Sequence, residues 1–293
     1  MEKFTILLLA GITNGSVYGL IGLSLSLIYS TSRVINFAQG EFVMLGAMMT
    51  IFFMVTLQLP GVDAVPGVLV VLLIAGLCLE RFVYRALAAR NAEPLTVIIG
   101  TFAGAVILAG LALVIWGPNQ LYVPPVFSLS PMTIAGVTTT AQQIAIILSF
   151  VALMAGFWWL LYRTSFGLCV RATGVNPKVA LLMGIRSERI IRFGFLFSAG
   201  VSGIAGILLG PLLGGQFSMG LLLTVKGFMA AIVGGLGSMF AAAAGGILIG
   251  LLEAMVTGYG TSLYSEPILF GLVLVVLLVR PYGLLGEFEA SKR

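Results

Sequence analysis

The stretch SRVINFAQGEF, Ser32–Phe42, sets Arg33, Asn36, Gln39 and Glu41 between two long apolar runs. Behind it lies FTILLLAGITNGSVYGLIGLSLSLIY, residues 4–29, and ahead of it VMLGAMMTIFFMV, residues 43–55. Polar side chains at membrane depth are tolerated only where protein or a water-filled cavity surrounds them. The fold has to supply an interior here, so the stretch reads as a break inside a bundle of membrane helices.

Composition outward from that point agrees. Of 293 residues, 60% are hydrophobic and 9% charged, against about a quarter charged in a soluble domain. Runs of about 20 apolar residues recur along the chain, each long enough to cross a bilayer. Candidate spans are 4–29, 37–58, 64–84, 95–116, 142–162, 193–214, 225–252 and 266–280. The first exceeds the roughly 7–15 apolar residues of a secretory signal and is expected to be retained. The expectation is an all-α integral membrane protein of about eight membrane segments, some broken or re-entrant, in a single domain over 1–293.

The loops orient it. Arg81, Arg85 and Arg90 cluster in 81–93, and Arg163, Arg171, Lys178, Arg186, Arg189 and Arg192 in 163–192, where Glu188 is the one acid. Both loops are expected to be cytoplasmic, which puts the N-terminus outside. PGVDAVPG (60–67) and 117–140 are poor in Lys and Arg, as external segments should be. Eight full crossings then place the C-terminus outside despite Arg280, Lys292 and Arg293, unless 225–252 re-enters. The net charge of +5 belongs to these loops, so no nucleic-acid partner is expected.

Glycine is abundant, with 38 residues. Gly11, Gly15 and Gly19 share one helix stripe, Gly206, Gly210 and Gly214 another, and Gly246 and Gly250 repeat the spacing, as closely packed membrane helices require. RVINFAQGEFVMLGAMM (33–49) and LTVKGFMAAIVGGLGS (223–238) are alike in composition and enter from opposite faces. They read as an inverted repeat with halves near 1–125 and 140–293. Asn36, Gln39 and Glu41 are candidates to line a translocation path, with Lys226 as their counterpart and as a partner for Glu41. The alternative for Asn36 is an ordinary helix cap. Glu253 is either interfacial or proton-handling.

Several chemistries lose their residues. The chain has no histidine, and its two cysteines, Cys78 and Cys169, lie far apart in sequence. No zinc site, histidine acid–base centre or disulfide framework is expected, and no cofactor bound by this chain. GGLGS (234–238) lacks the lysine of a nucleotide-binding loop, so ATP would have to be used by separate subunits. In 164–192, Asn176 suits an N-cap, Pro177 a first turn and Gly184 a C-terminal stop around KVALLM. Such a short helix needs a surface. Val179, Leu182 and Met183 offer it either a groove on a partner protein or lipid headgroups.

INFAQGEF (35–42), FGLCVRATGVNPKVALLMGI (166–185), KGFMAAIVGGLGS (226–238) followed by GGILIGLLE, and RPYGLLG (280–286) together resemble the LivH-type permease subunits of bacterial branched-chain amino acid ABC importers. The resemblance covers essentially the whole chain. It implies an inner-membrane subunit that pairs with a second homologous permease, docks two cytoplasmic ATPase subunits and receives substrate from a periplasmic binding protein. It further implies that the segment carrying Arg171, Asn176, Pro177, Ala180 and Gly184 couples to the ATPases. Cys169, Val170 and the Thr173–Val175 linker depart from the usual pattern, which leaves the partner ATPase's identity open. Similar subunits import urea, amides or aromatic acids, and an ion-coupled secondary transporter using Glu41 or Glu253 is the rival from another class.

Overall fold

Small residues decide where the helices meet. In a computed structural model that describes residues 2–127, 130–134, 137–260 and 264–286, α1 spans Glu2–Ser32, roughly 46 Å at 1.5 Å per residue. Its Gly11, Gly15 and Gly19 lie against the backbone of α11, Met239–Tyr259. A Cβ on Gly15 would come within 2.8 Å of Ile247 Cα, and Gly246 and Gly250 press back on Gly19 and Gly15. Two of the expected stripes therefore face each other, and backbone packs on backbone.

Helix α2 covers Gln39–Ile51 and runs into a π-turn at Phe52–Thr56. Helix α3, Gly61–Leu79, continues through a second π-turn, Glu80–Tyr84, into α4, Arg85–Ala88. Helix α5 is Pro94–Trp116, and a hairpin of β1, Pro131–Ile134, and β2, Val137–Thr140, leads to α6, Ala141–Arg163. Thr140 and Gln143 close a capping box at its start. Two short helices follow, α7 at Ser165–Val175 and α8 at Pro177–Leu182. Helix α9, Ser187–Leu213, precedes α10, Met219–Gly234. After α11 comes α12, Ser265–Val279.

Among the described residues seven helices are long and apolar enough to cross a bilayer, and α10 and α12 are shorter apolar helices. The chain is an all-α membrane protein. Helices α1, α2, α9 and α10 form its interior, where Phe42, Phe195, Leu20 and Ile21 are fully buried, while α5 and α6 turn most of their surface outward.

The expected single span 225–252 is two helices. Gly235 and Gly237 take φ of 134° and 95°, conformations open to glycine, and the turn sends α11 back along α10. The amides of Leu284 and Leu285 then donate to the carbonyls of Val233 and Gly234, at 2.8 and 2.9 Å. This extra crossing removes the parity problem. The segment 280–286 lies at the end of the bundle where Gly237 meets Tyr29 and Gly174 meets Ser30, the end that carries the basic loop. Lys292 and Arg293 lie outside the described residues. Both cysteines are free.

Candidate functional site

Arg33 ends α1 with φ 58°, and Val34–Ala38 turn back toward the interior. That return is held by neighbouring helices and by its own side chains. Phe37 N–H donates to Thr101 Oγ1 of α5 at 3.2 Å, and Gly40 N–H to Thr224 Oγ1 of α10 at 2.8 Å. Asn36 Oδ1 accepts from Ala38 N–H at 3.1 Å, and Asn36 Nδ2 donates to Gln39 Oε1 at 3.3 Å. Gln39 Nε2 donates to Ser202 Oγ and Ser198 O of α9, at 2.6 and 3.1 Å. Asn36 and Gln39 are fully buried, so in this state neither faces water. Asn36 forms a tight turn onto Ala38, which itself holds the cap position of α2 without a side-chain cap.

A second break lies between α9 and α10. Helix α9 ends at Leu213, residues 214–218 turn inward, and α10 begins. Leu121 and Gly215 pair there through two backbone bonds of 2.8 and 2.9 Å. The first turns of α2 and α10 meet with Gly40 against the Gly220 carbonyl, too close for any side chain. Glu41 lies over Gly220, its Oε1 2.6 Å from where a Cβ would stand. The carboxyl is 3% exposed and its Oε2 has no hydrogen-bond partner. It rests between two helix N-termini, where partial positive charge gathers.

Lys226 does not join this group. It lies six residues beyond Gly220, about 240° around the helix and roughly 9 Å along it. Its ammonium pairs with Glu253 of α11 and, at 3.1 Å, with Glu266 of α12, and it donates to Tyr18 Oη of α1 at 3.4 Å. The expected Glu41–Lys226 pair is therefore replaced by a four-helix cluster. Glu253 is one of its members rather than a lone interfacial group.

At the basic end, Thr164 turns the chain sharply from α6 into α7, and Arg33 Nη2 donates to Gly174 O at 3.0 Å, closing the end of α7. Asn176 Oδ1 accepts from Val179 N–H at 3.2 Å, Pro177 opens α8, and Gly184, with φ 84°, ends it. Ala180 is buried and seats this helix. Leu182 and Met183 stand out at 88% and 76% exposure, with Val179 and Leu181 beside them. Arg171 does not point into that apolar group; its guanidinium lies 5.0 Å from the Tyr162 ring centroid on α6.

Sequence reasoning passed over Thr101 and Thr224, which satisfy backbone amides of the break, Ser198 and Ser202, which accept from the Gln39 side chain, and Tyr18 and Glu266, which complete the ion cluster. A hydroxyl in an apolar helix was the one available signal, and such groups can as easily bond back to their own helix. Among the described residues no group of metal-binding side chains assembles.

The family described as "Branched-chain amino acid transport system / permease component" matches residues 7–279. The high-affinity branched-chain amino acid transport system permease protein LivH of Salmonella typhimurium is 31% identical over 296 residues, 96% of this chain and 95% of that protein. BraD of Pseudomonas aeruginosa, of the same description, is 30% identical over 97% of this chain and 96% of its own length. A probable LivH of Methanocaldococcus jannaschii is 30% identical over 94% and 90%.

Proposed function

Since the chain belongs to the family of branched-chain amino acid transport permeases and is a multi-pass inner-membrane protein, we propose that it is the translocation subunit of an ATP-driven importer. Its substrate is a branched-chain or other hydrophobic amino acid, delivered by a periplasmic binding protein. A second homologous permease completes the path, and two cytoplasmic ATPase subunits drive it. ATP is used by those subunits, and this chain catalyses no reaction of its own.

The observation that carries this reading is α8. A two-turn helix is unstable alone, yet here it is capped at both ends, seated on Ala180 and made to present Leu182 and Met183 to the outside. Asn176, Pro177, Ala180 and Gly184 build this docking element, and Arg171 lies on the helix before it. ATP-driven closure of the ATPases moves it, α7 carries the motion to the end of α1 through Arg33 and Gly174, and the broken segments rock. Asn36, Gln39 and Glu41 hold the wall of the path at the meeting of α2 and α10, and Lys226 holds α10 against its neighbours. Importers of urea, amides or aromatic acids share this design, with selection resting on the binding protein.

The test is co-purification from membranes of the tagged chain and of a Leu182→Asp/Met183→Asp variant. Both positions are exposed, so the variant should fold. Wild type should bring down ATPases and a second permease, and the variant should lose the ATPases. The buried Glu41 carboxyl, whose Oε2 has no hydrogen-bond partner, favours ion-coupled transport as the second reading. A chain that comes down alone in both cases, and transports in liposomes under a pH gradient, would establish that one instead.

A further inference from the structure

At the basic end of α6 the rings of Trp158 and Tyr162 lie 5.9 Å apart, one helical turn from each other. Arg163 sits over Trp158 with its guanidinium carbon 5.9 Å from the ring centroid, and Arg171 over Tyr162 at 5.0 Å. Tyr162 is backed by Phe240 of α11, 6.2 Å away. Stacking on an aromatic face fixes a guanidinium while leaving its N–H groups free. Neither arginine makes an ion pair among the described residues. The sole acid of 163–192 is Glu188, beyond α8.

The surroundings decide what these groups meet. Trp158, Trp159 and Tyr162 are 46%, 59% and 50% exposed, on a helix that turns most of its surface outward and is long enough to span the bilayer. Tryptophan and tyrosine at the end of a span mark the headgroup level. Two fixed guanidiniums at that level, with no carboxylate between them, match the phosphodiester of a lipid, which arginine binds bidentately. The apolar residues of α8 form a separate surface, and Arg171 stacks on the spanning helix rather than beside them.

We propose that Trp158, Tyr162, Arg163 and Arg171 form a binding site for an anionic phospholipid headgroup of the inner leaflet. The site holds the corner between α6 and α7 at a fixed depth. Anionic lipid thereby sets where the docking element begins.

The test uses the full chain in detergent with Trp116→Phe, so that emission comes from Trp158 and Trp159. Brominated phosphatidylglycerol and brominated phosphatidylcholine are titrated in, and tryptophan quenching is read. Phosphatidylglycerol should quench at about tenfold lower concentration, and excess inorganic phosphate should not abolish that preference. Arg163→Gln/Arg171→Gln should erase it, while Arg81→Gln/Arg90→Gln, an equal loss of charge elsewhere, should leave it. Equal quenching by both lipids in wild type, or equal loss in both double variants, would overturn the proposal. So would competition by inorganic phosphate alone. Loss of ATPase co-purification from Arg163→Gln/Arg171→Gln with the lipid preference intact would assign the arginines to docking instead.

Discussion

Removing the ammonium of Lys226 would strand Glu253 in the interior of a membrane protein. Side-chain exposure is 8% for Lys226 and 14% for Glu253, so little water reaches the pair. Breaking such a pair from one side costs about 3–5 kcal/mol, whereas removing both charges can be nearly neutral. Lys226→Met should therefore unfold at markedly lower detergent stress than wild type, and Lys226→Met/Glu253→Gln should recover most of the loss. Glu266 is 39% exposed and can be hydrated once its partner is gone. Unfolding in a graded SDS titration of the purified chain checks both. An unrecovered double variant would mean the cluster serves geometry beyond its charges. The polar residues themselves were legible, because a charge in an apolar run must be accounted for. Their pairing was not. Lys226 had Glu41, Glu253 and Glu266 as possible partners, and only the rotation of α10 decides among them.

Helices here are placed by what they lack. Along the α1–α11 seam a side chain on Gly15 would meet Ile247 Cα and the Gly246 carbonyl, neither of which can step aside as a side-chain end could. Gly15→Leu should cost about 3 kcal/mol or more, seen as a lower fraction of monodisperse protein after heating. Gly110→Leu on α5, where nothing lies within 4 Å of the new Cβ, is the matched control and should behave as wild type. Four-residue spacing of glycine in the sequence gave the stripes directly, since that spacing puts residues on one helix face. Which stripe met which was hidden. Gly206 and Gly210 pack on Val43 and Ala47 of α2, and Gly214 stands beyond α9 against Gln120, so a sequence pattern with one period had two different uses. The stretch 225–252 was expected as one span, with re-entry as the alternative, because an apolar run containing GGLGS reads as continuous by hydropathy, although its glycines are what allow the turn.

For the molecule as a whole, topology follows from counting. With α10 and α11 separate, the chain returns to the end that carries α7 and α8, so Arg280 joins the other basic residues without special pleading. The all-helical membrane class was readable from composition and the length of the apolar runs, and the short helix α8 from its capping residues. The meeting of α2 and α10 at Gly40 and Gly220 was not, because contact between residues so far apart in sequence leaves no local trace. The bonds from Leu284 and Leu285 to the carbonyls of Val233 and Gly234 bear on how the protein is made. Those acceptors leave the ribosome about 50 residues before their donors, a delay of several seconds at usual elongation rates. Through that interval the end of α10 waits with unmet carbonyls, each costly if buried unpaired. A chain truncated after Arg280 should stay at that stage, inserted yet open to membrane proteases, with a pulse-chase half-life shorter than that of the full chain. Leu284 and Leu285 thus act as a late latch, closing the end of α10 only after α11 and α12 have been made.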